Sequence, residues 1–398
     1  MDIKSDPSKH GESMKQSSAA ADDSDSVHLA TSLPEEIISD ILIKLPVKSL
    51  IRFKSVCKSW SALISDPIFV KAHLQGNIQD KNYARHRLIM KTRPQFDVKS
   101  CSLSSVLNEE SSITDIDYPL EDYPLSFRVI GSANGLVCIR LLACDNSLFI
   151  WNPSTGRAKS LPPYGFRIHL ERIISYGFGY DEANSDYKVV VIYLLGRPFE
   201  MSYNPVAKIY GLKSDSWRKI EDFYIIPQMS PYCTFVSGSL NWAAAVDNIV
   251  SFDLSKETCS VTRLPFYDRE MVCGSNLGNL SGCLCQLSSD YGMMKIDLWV
   301  MKQFGKVESW SKMYSIPYQC EIRTFKDYTS LIISGKNKVL MLIGSVLILC
   351  NLETKTVTHP DLQNINNFLD VNTYIESLVA PDDASNKSLE EVIDEMAY

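Results

Sequence analysis

The chain has 398 residues, 45% of them hydrophobic and 22% charged, enough apolar material for two or three globular domains. A formal net charge of -7 argues against nucleic acid as the principal ligand, because phosphate binding needs a concentrated cationic surface. The 11 cysteines follow no recurrent spacing and predict reduced thiols, and the longest apolar run, Val339 to Cys350, is too short for a membrane span; the expected location is cytoplasm, nucleus or both.

Residues 1–30 are rich in Ser, Asp, Lys and Ala and predict a disordered tail. The next stretch, Leu33 to Leu74, is helical in pattern. Ser32 and Glu35 have capping-box spacing, Pro34 fits a first turn, and Ile37, Ile38, Ile41, Leu42 and Leu45 recur on one face until Pro46 stops the helix. A second short helix should carry Leu50, Phe53 and Val56 inward. A third should align Val56, Trp60, Leu63 and Ile64 before Ser65-Asp66-Pro67 ends it. So small a bundle cannot bury all of this surface in itself, so part of it must meet a partner. Lys44, Lys48, Arg52, Lys54 and Lys58 form a basic rim suited to an acidic protein.

The combination of Leu33-Pro34, Leu45-Pro46-Val47, Leu50, Phe53 and Val56-Cys57-Lys58-Ser59-Trp60 resembles the F-box, the motif that docks substrate receptors on the Skp-type adaptor of a cullin-RING ubiquitin ligase. The resemblance implies an F-box over 31–75. Leu33, Pro34, Ile37, Ile41, Leu45, Pro46, Leu50, Phe53, Val56, Cys57 and Trp60 would divide between bundle packing and the adaptor interface. Cullin and RING subunits would be reached through the adaptor. The alternative is a helical hairpin belonging to some other core.

From about Arg87 the pattern alternates. β-rich runs occur at Leu136 to Leu142, Tyr187 to Leu195, Ala207 to Leu212, Leu240 to Val246, Met294 to Met301 and Val339 to Leu349, the last read as two buried strands and a turn. A polar turn follows an apolar strand at equivalent positions 152, 211, 253, 300 and 351, a repeat of about 50 residues typical of propeller blades. A degenerate unit near Leu88 to Leu107 would make about six blades. The expected fold class is therefore α+β multidomain, a three-helix F-box followed by an all-β domain over 84–378, most readily a β-propeller; a twisted β-sandwich is the alternative.

Gly131-Ser132-Ala133-Asn134-Gly135-Leu136-Val137, Trp151-Asn152-Pro153-Ser154-Thr155, Tyr176 to Asp181, Asp186 to Val190 and Ser216-Trp217-Arg218 resemble the plant F-box-associated domain, in kelch-type receptors of the immune-regulator and S-locus class. No Gly-Gly doublet, the mark of kelch repeats, occurs. The resemblance implies a receptor that binds a client protein through its β domain to promote ubiquitination and degradation. Immune receptors and self-incompatibility ribonucleases are among the clients of such proteins. Aromatic and basic residues in the longer connections are the client-binding candidates: Tyr164, Phe166, Arg167, Arg197, Phe199, Phe266 and Tyr267.

Chemistry of the chain's own finds little footing. Cys283-Leu284-Cys285 has the wrong spacing for zinc and reads as core, and the six histidines, His10, His28, His73, His86, His169 and His359, do not cluster with one another or with a cysteine pair. Tyr176 to Asp181 lacks the third glycine of a nucleotide fingerprint and reads as a tight turn. The acidic run from Glu109 to Asp122 reads as a solvated loop, and Trp217, Trp242, Trp299 and Trp310 as blade packing. No catalytic residue, metal or cofactor is expected. The acidic tail over 381–398 could hold one short helix around Leu389, Val392, Ile393 and Met396. The competing reading is a propeller scaffold or carbohydrate-binding module without a ligase role.

Overall fold

A computed structural model describes residues 33–381 except 93–97, 111–112, 117–126, 142–146, 166–170, 196–203, 224–228, 245–247, 265–271, 291–294, 318–329, 336, 344, 363–364 and 366–367. Two compact units are present, Met1–Ile41 and Leu42–Tyr398. The N-terminal tail, the Ser32 cap, the acidic tail beyond Pro381 and the C-terminal helix lie outside the described residues.

Helix α1 is Glu35–Leu42, with Glu35 and Glu36 in the first turn, where the exposed N-H groups favour negative charge. It ends earlier than Leu45 because the chain tightens into a turn, Leu45 N-H donating to Leu42 O at 3.0 Å. In the second unit, helix α2 is Val47–Phe53, entered through extended Pro46, whose carbonyl accepts from Ser49 and Leu50. Leu50 is buried and Phe53 packs edge-on to Trp60 at 5.5 Å. Val56 does not point inward as expected. It lies in the turn after α2 and is 59% exposed.

Helix α3, Lys58–Ser65, buries Ile64. The Asp66-Pro67 step ends it but also starts a helix the periodicity did not reveal, α4 at Pro67–Gln79. Asp66 Oδ1 accepts from Ile68 N-H at 2.7 Å and Phe69 N-H at 3.3 Å, and Pro67 sits in the first turn. The buried positions of α4 are Phe69, His73, Leu74 and Asn77, so polar residues interrupt its apolar face.

The β domain forms six four-stranded antiparallel sheets. β1 (His86–Thr92), β2 (Val98–Ser102) and β3 (Ile113–Asp115) belong to blade 1, with short helix α5 (Leu103–Leu107) after β2. Blade 2 is β4 (Phe127–Ala133), β5 (Leu136–Leu141), β6 (Leu148–Trp151) and β7 (Ala158–Ser160). Blade 3 is β8 (Glu171–Asp181), β9 (Asp186–Leu195), β10 (Asn204–Gly211) and β11 (Ser216–Ile220). Blade 4 is β12 (Thr234–Val236), β13 (Ser239–Ala244), β14 (Asn248–Asp253) and β15 (Thr258–Arg263). Blade 5 is β16 (Val272–Leu280), β17 (Cys283–Asp290), β18 (Lys295–Met301) and β19 (Trp310–Pro317). Blade 6 is β20 (Ser330–Gly335), β21 (Lys338–Ile343), β22 (Val346–Asn351) and β23 (Thr356–Thr358).

The last strand, β24 (Phe368–Ile375), returns to pair with β1 and becomes the innermost strand of blade 1. Inner strands β4, β8, β12, β16, β20 and β24 each meet the next around a closed ring. This is a six-bladed β-propeller. A sandwich would stack two sheets without such closure.

The repeated polar turns mark the ends of third strands. Asn152 Oδ1 accepts from Ser154 N-H at 2.8 Å, Asp253 Oδ1 from Ser255 N-H at 2.9 Å, and Asn351 Oδ1 from Glu353 N-H at 3.0 Å, side chains standing in for a backbone turn. Between first and second strands, Asn134-Gly135, Ser237-Gly238 and Ser281-Gly282 all have positive φ, the primed hairpin turn that suits twisted strands.

Two sequence expectations are corrected. Tyr176 to Asp181 is no turn but the end of β8, the inner strand of blade 3. Its glycines make room for blade 4: a Cβ on Gly177 would lie 2.7 Å from Leu240 Cδ1, and one on Gly179 would lie 2.5 Å from Phe235 Cδ2. Likewise the acidic run is not wholly a loop, since Ile113–Asp115 pairs with β2 as the outer strand of blade 1. The interblade cores hold Trp217, Trp242, Trp299, Trp310 and Cys285 as packing groups, with Cys283 half-buried beside Cys285.

Candidate functional site

In the first unit Leu33, Ile37 and Ile41 are 56%, 45% and 50% exposed, and Pro34 is exposed as well. The apolar face expected to meet a partner is thus open to solvent. In the second unit Val56, Cys57 and Ile51 are exposed, Leu45, Pro46, Phe53 and Trp60 are half-buried, and Leu50 is buried. Of the candidate adaptor residues, Leu50 serves packing. Lys44, Lys48, Arg52 and Lys58 are exposed around this surface, while Lys54 is half-buried and its ammonium is shifted down by burial and by nearby Arg157. The Cys57 thiol at the start of α3 is held below its usual value by Ser59 Oγ, 3.1 Å away, and by the Trp60 N-H.

A polar spine, absent from any sequence expectation, joins this surface to the propeller. His73 Nε2 donates to Leu45 O at 2.9 Å, and its Nδ1 accepts from Asn77 Nδ2 at 3.4 Å; one tautomer serves both contacts. Asn77 Nδ2 also donates to Glu376 O at 2.9 Å, and Asn77 O accepts from His86 Nε2 at 3.2 Å. Arg85 reaches Lys44 O at 3.1 Å, and Glu376 N-H donates back to Arg85 O. Burial pushes both histidines down, despite the carbonyls that favour their charged forms, so they are held neutral. Burial raises the Glu376 carboxyl against the opposing pull of Arg87, Arg85 and Lys48. The signal in the sequence was the polar pair His73 and Asn77, one turn apart on a helix whose other buried residues are Phe69 and Leu74.

Topology separates the two ends of the propeller. Described connections between first and second strands, and between third and fourth, are mostly tight turns, and the helices enter at the start of β1 on that same end. Connections between second and third strands, and from one blade to the next, leave from the opposite end. Every client-binding candidate falls in one of these. Phe166, Arg167, Arg197, Phe199, Phe266 and Tyr267 lie outside the described residues. Tyr164 is described and is no free contact: only 5% exposed, its ring meets Trp217 at 5.4 Å while the Trp217 indole N-H donates to Pro162 O at 2.7 Å, pinning the connection against blade 3.

The central channel encloses about 910 Å³, walled by Arg128, Ser132, Asp370 and Asn372 along the inner strands and bordered by Asp80 and Tyr83 after α4. Burial raises the Asp370 carboxyl, which accepts from Asn372 Nδ2 at 2.8 Å. Next to it, Lys91 is pushed down to about 8 by burial while its ammonium donates to Phe127 O at 2.9 Å. Among the described residues no group of His, Cys, Asp or Glu is arranged to hold a metal, and no helix is long and apolar enough to cross a membrane.

Residues 31–71 match the F-box domain, and residues 89–381 match the F-box associated beta propeller domain. The chain belongs to this family of F-box proteins. F-box/kelch-repeat protein At3g23880 of Arabidopsis thaliana is 32% identical, over 88% of this chain and 96% of that protein. F-box protein CPR1 of the same plant is 28% identical over 87% and 88%. F-box protein At4g22390 is 27% identical over 84% and 87%. The F-box match stops within α4, whose remaining turns carry Leu74 and Asn77 toward the propeller.

Proposed function

We propose that this F-box protein is the substrate receptor of a cullin-RING ubiquitin ligase, docking on a Skp-type adaptor through α1–α3 and holding a client protein at the long-connection end of the propeller. The observation that carries the reading is the exposure of Leu33, Ile37, Ile41 and Val56, large apolar side chains inside the matched F-box. The exposed Lys44, Lys48, Arg52 and Lys58 of the same matched F-box suit an acidic partner and would speed its encounter. The receptor supplies proximity, holding client lysines where a ubiquitin-charged enzyme can reach them, and contributes no catalytic group. Cullin and RING subunits join through the adaptor.

Capture of a purified plant Skp-type adaptor tests the reading, comparing wild type with an Ile41→Asp, Val56→Asp double variant. Both positions are exposed, so the variant should keep its fold by circular dichroism. Wild type should retain adaptor and the variant should lose at least about tenfold in affinity, since each anchor is worth on the order of 1 kcal/mol or more. Folded wild type that retains no adaptor would overturn it.

A further inference from the structure

Blade 4 presents two unlike faces. Toward blade 3 it offers Leu240, Trp242, Val250 and Phe252, packed with Val190, Ile192 and Ile209. On the other face Val236, Ile249 and Leu264 pack with Leu284, Met301 and Trp310 of blade 5, and beside them strand pairing aligns Ser239 with Asp253 and Thr258 in one row, and Asn241 with Ser251 and Ser260 in the next. Beside this packing a cleft of about 230 Å³ remains, walled on one side by Ser239, Ser251, Asp253, Lys256, Thr258, Ser260 and Thr262, and on the other by Leu284, Met301, Phe304 and Gly305 of blade 5.

The polar wall offers hydroxyls open to a ligand: Thr258 and Ser260 are exposed and Thr262 is half-buried. Ser239 is 5% exposed, and among the described residues neither its hydroxyl nor those of Thr258, Ser260 and Thr262 has a side-chain partner. Ser251 Oγ donates to Asn241 Oδ1 at 2.7 Å and keeps its acceptor capacity. Asp253 and Lys256 stand together at the rim, 3.6 Å apart, so the site favours neither an anion nor a cation. Opposite lies Phe304, 37% exposed, an aromatic ring with no apolar covering sufficient to bury it. A ligand that satisfies both walls is neutral, carries several groups that both donate and accept, and has an apolar C-H face for the ring. Those are the properties of a pyranose.

We propose that the cleft between blades 4 and 5 binds a single neutral sugar ring, free in solution or at the end of a glycan. Sugar binding there is independent of adaptor docking and survives if the ligase reading fails. The test uses the full chain, titrated with glucose, galactose, mannose and N-acetylglucosamine and with a mannose-terminated and a galactose-terminated glycopeptide, read by saturation-transfer NMR and calorimetry. At least one sugar should bind at millimolar concentration. Phe304→Ala should weaken it about tenfold by removing the stacking ring. Thr258→Val, which keeps shape and strand preference, should weaken it less. Thermal midpoints of both variants should match wild type. Binding of a glycopeptide without its free sugar identifies a glycan as the source. The proposal is overturned if no sugar or glycopeptide binds, if Phe304→Ala and Thr258→Val bind as wild type does, or if the unglycosylated peptide competes equally.

Discussion

Lys188→Met is the substitution that tests most directly how the blades are held together. Lys188, on β9 of blade 3, places its ammonium 2.7 Å from Asp181 Oδ2, 2.9 Å from Glu257 Oε1 and 2.7 Å from Leu254 O, the last two on the turn that ends β14 of blade 4. The Lys188 and Asp181 side chains are 8% and 0% exposed. Burial alone would lower the Lys188 ammonium, but hydrogen bonds to Asp181 and Glu257 outweigh it and raise it. Removing one partner of a buried ion pair costs about 3–5 kcal/mol, because the other charge is stranded. Asp181 keeps Asn184 Nδ2 at 2.7 Å, and Glu257 keeps Arg218, so the loss should lie near the lower end, about 3 kcal/mol. Urea unfolding followed by tryptophan fluorescence measures it, and adding Asp181→Asn should recover part of the loss by neutralising the stranded carboxylate. A loss below about 1 kcal/mol, the value of an exposed pair, would refute the latch.

The same latch sets the acid limb of stability. Burial pushes the Asp181 and Glu257 carboxyls up, but hydrogen bonds from Lys188 and Asn184 to the first, and from Arg218 and Lys188 to the second, bring both below their ordinary values. The unfolded chain therefore takes up protons at higher pH than the folded one. Their stabilisation is complete above roughly pH 4.3 and is lost as pH falls through the folded values. Lys188→Met should flatten that limb as well as lower the plateau.

Gly177→Ala should cost about 1–3 kcal/mol in the same unfolding assay, because the new Cβ would stand 2.8 Å from Trp242 Cζ2, a ring fixed between blades. His73 and His86, held down by burial, bind protons more readily in the unfolded chain; stability should drop as pH falls below about 6.5, and His73→Gln, which keeps a donor for Leu45 O, should reduce that drop. Alkylation of the native protein, followed by peptide mass spectrometry, should label Cys57 first among the described cysteines, and Ser59→Ala should slow it.

Much of the architecture was legible because it rests on local chemistry. Asn152, Asp253 and Asn351 each cap their own turn through the two or three residues that follow, so the signal lies within a few positions and repeats with the blade. Other features depend on partners distant in sequence. Helix α4 escaped notice because His73 and Asn77 occupy core positions whose bonding partners are Leu45 and Glu376. Gly177 and Gly179 resembled a turn, yet what they accommodate is the side chains of blade 4. Tyr164 stands among the client-binding candidates because nothing in its neighbourhood announces that Trp217 will cover it. Val56 has the spacing of an inward residue, but the turn after Phe53 breaks the helical phase on which that spacing depends.

Ring closure also dictates where the helices attach. Because β24 pairs with β1, the start of β1 and the end of β24 lie at one end of blade 1, and the chain both enters and leaves the propeller there. Any domain preceding β1 must therefore emerge at the end of the tight turns, leaving the opposite end for the proposed client. The spine makes use of this adjacency: Asn77, arriving on α4, bonds to Glu376 just beyond β24, and His73 on the same helix holds the Leu45 corner. Closing the ring and anchoring α2–α4 thus share the residues that follow β24. Loosening that strand would release both the propeller and the corner on which adaptor docking is proposed to depend.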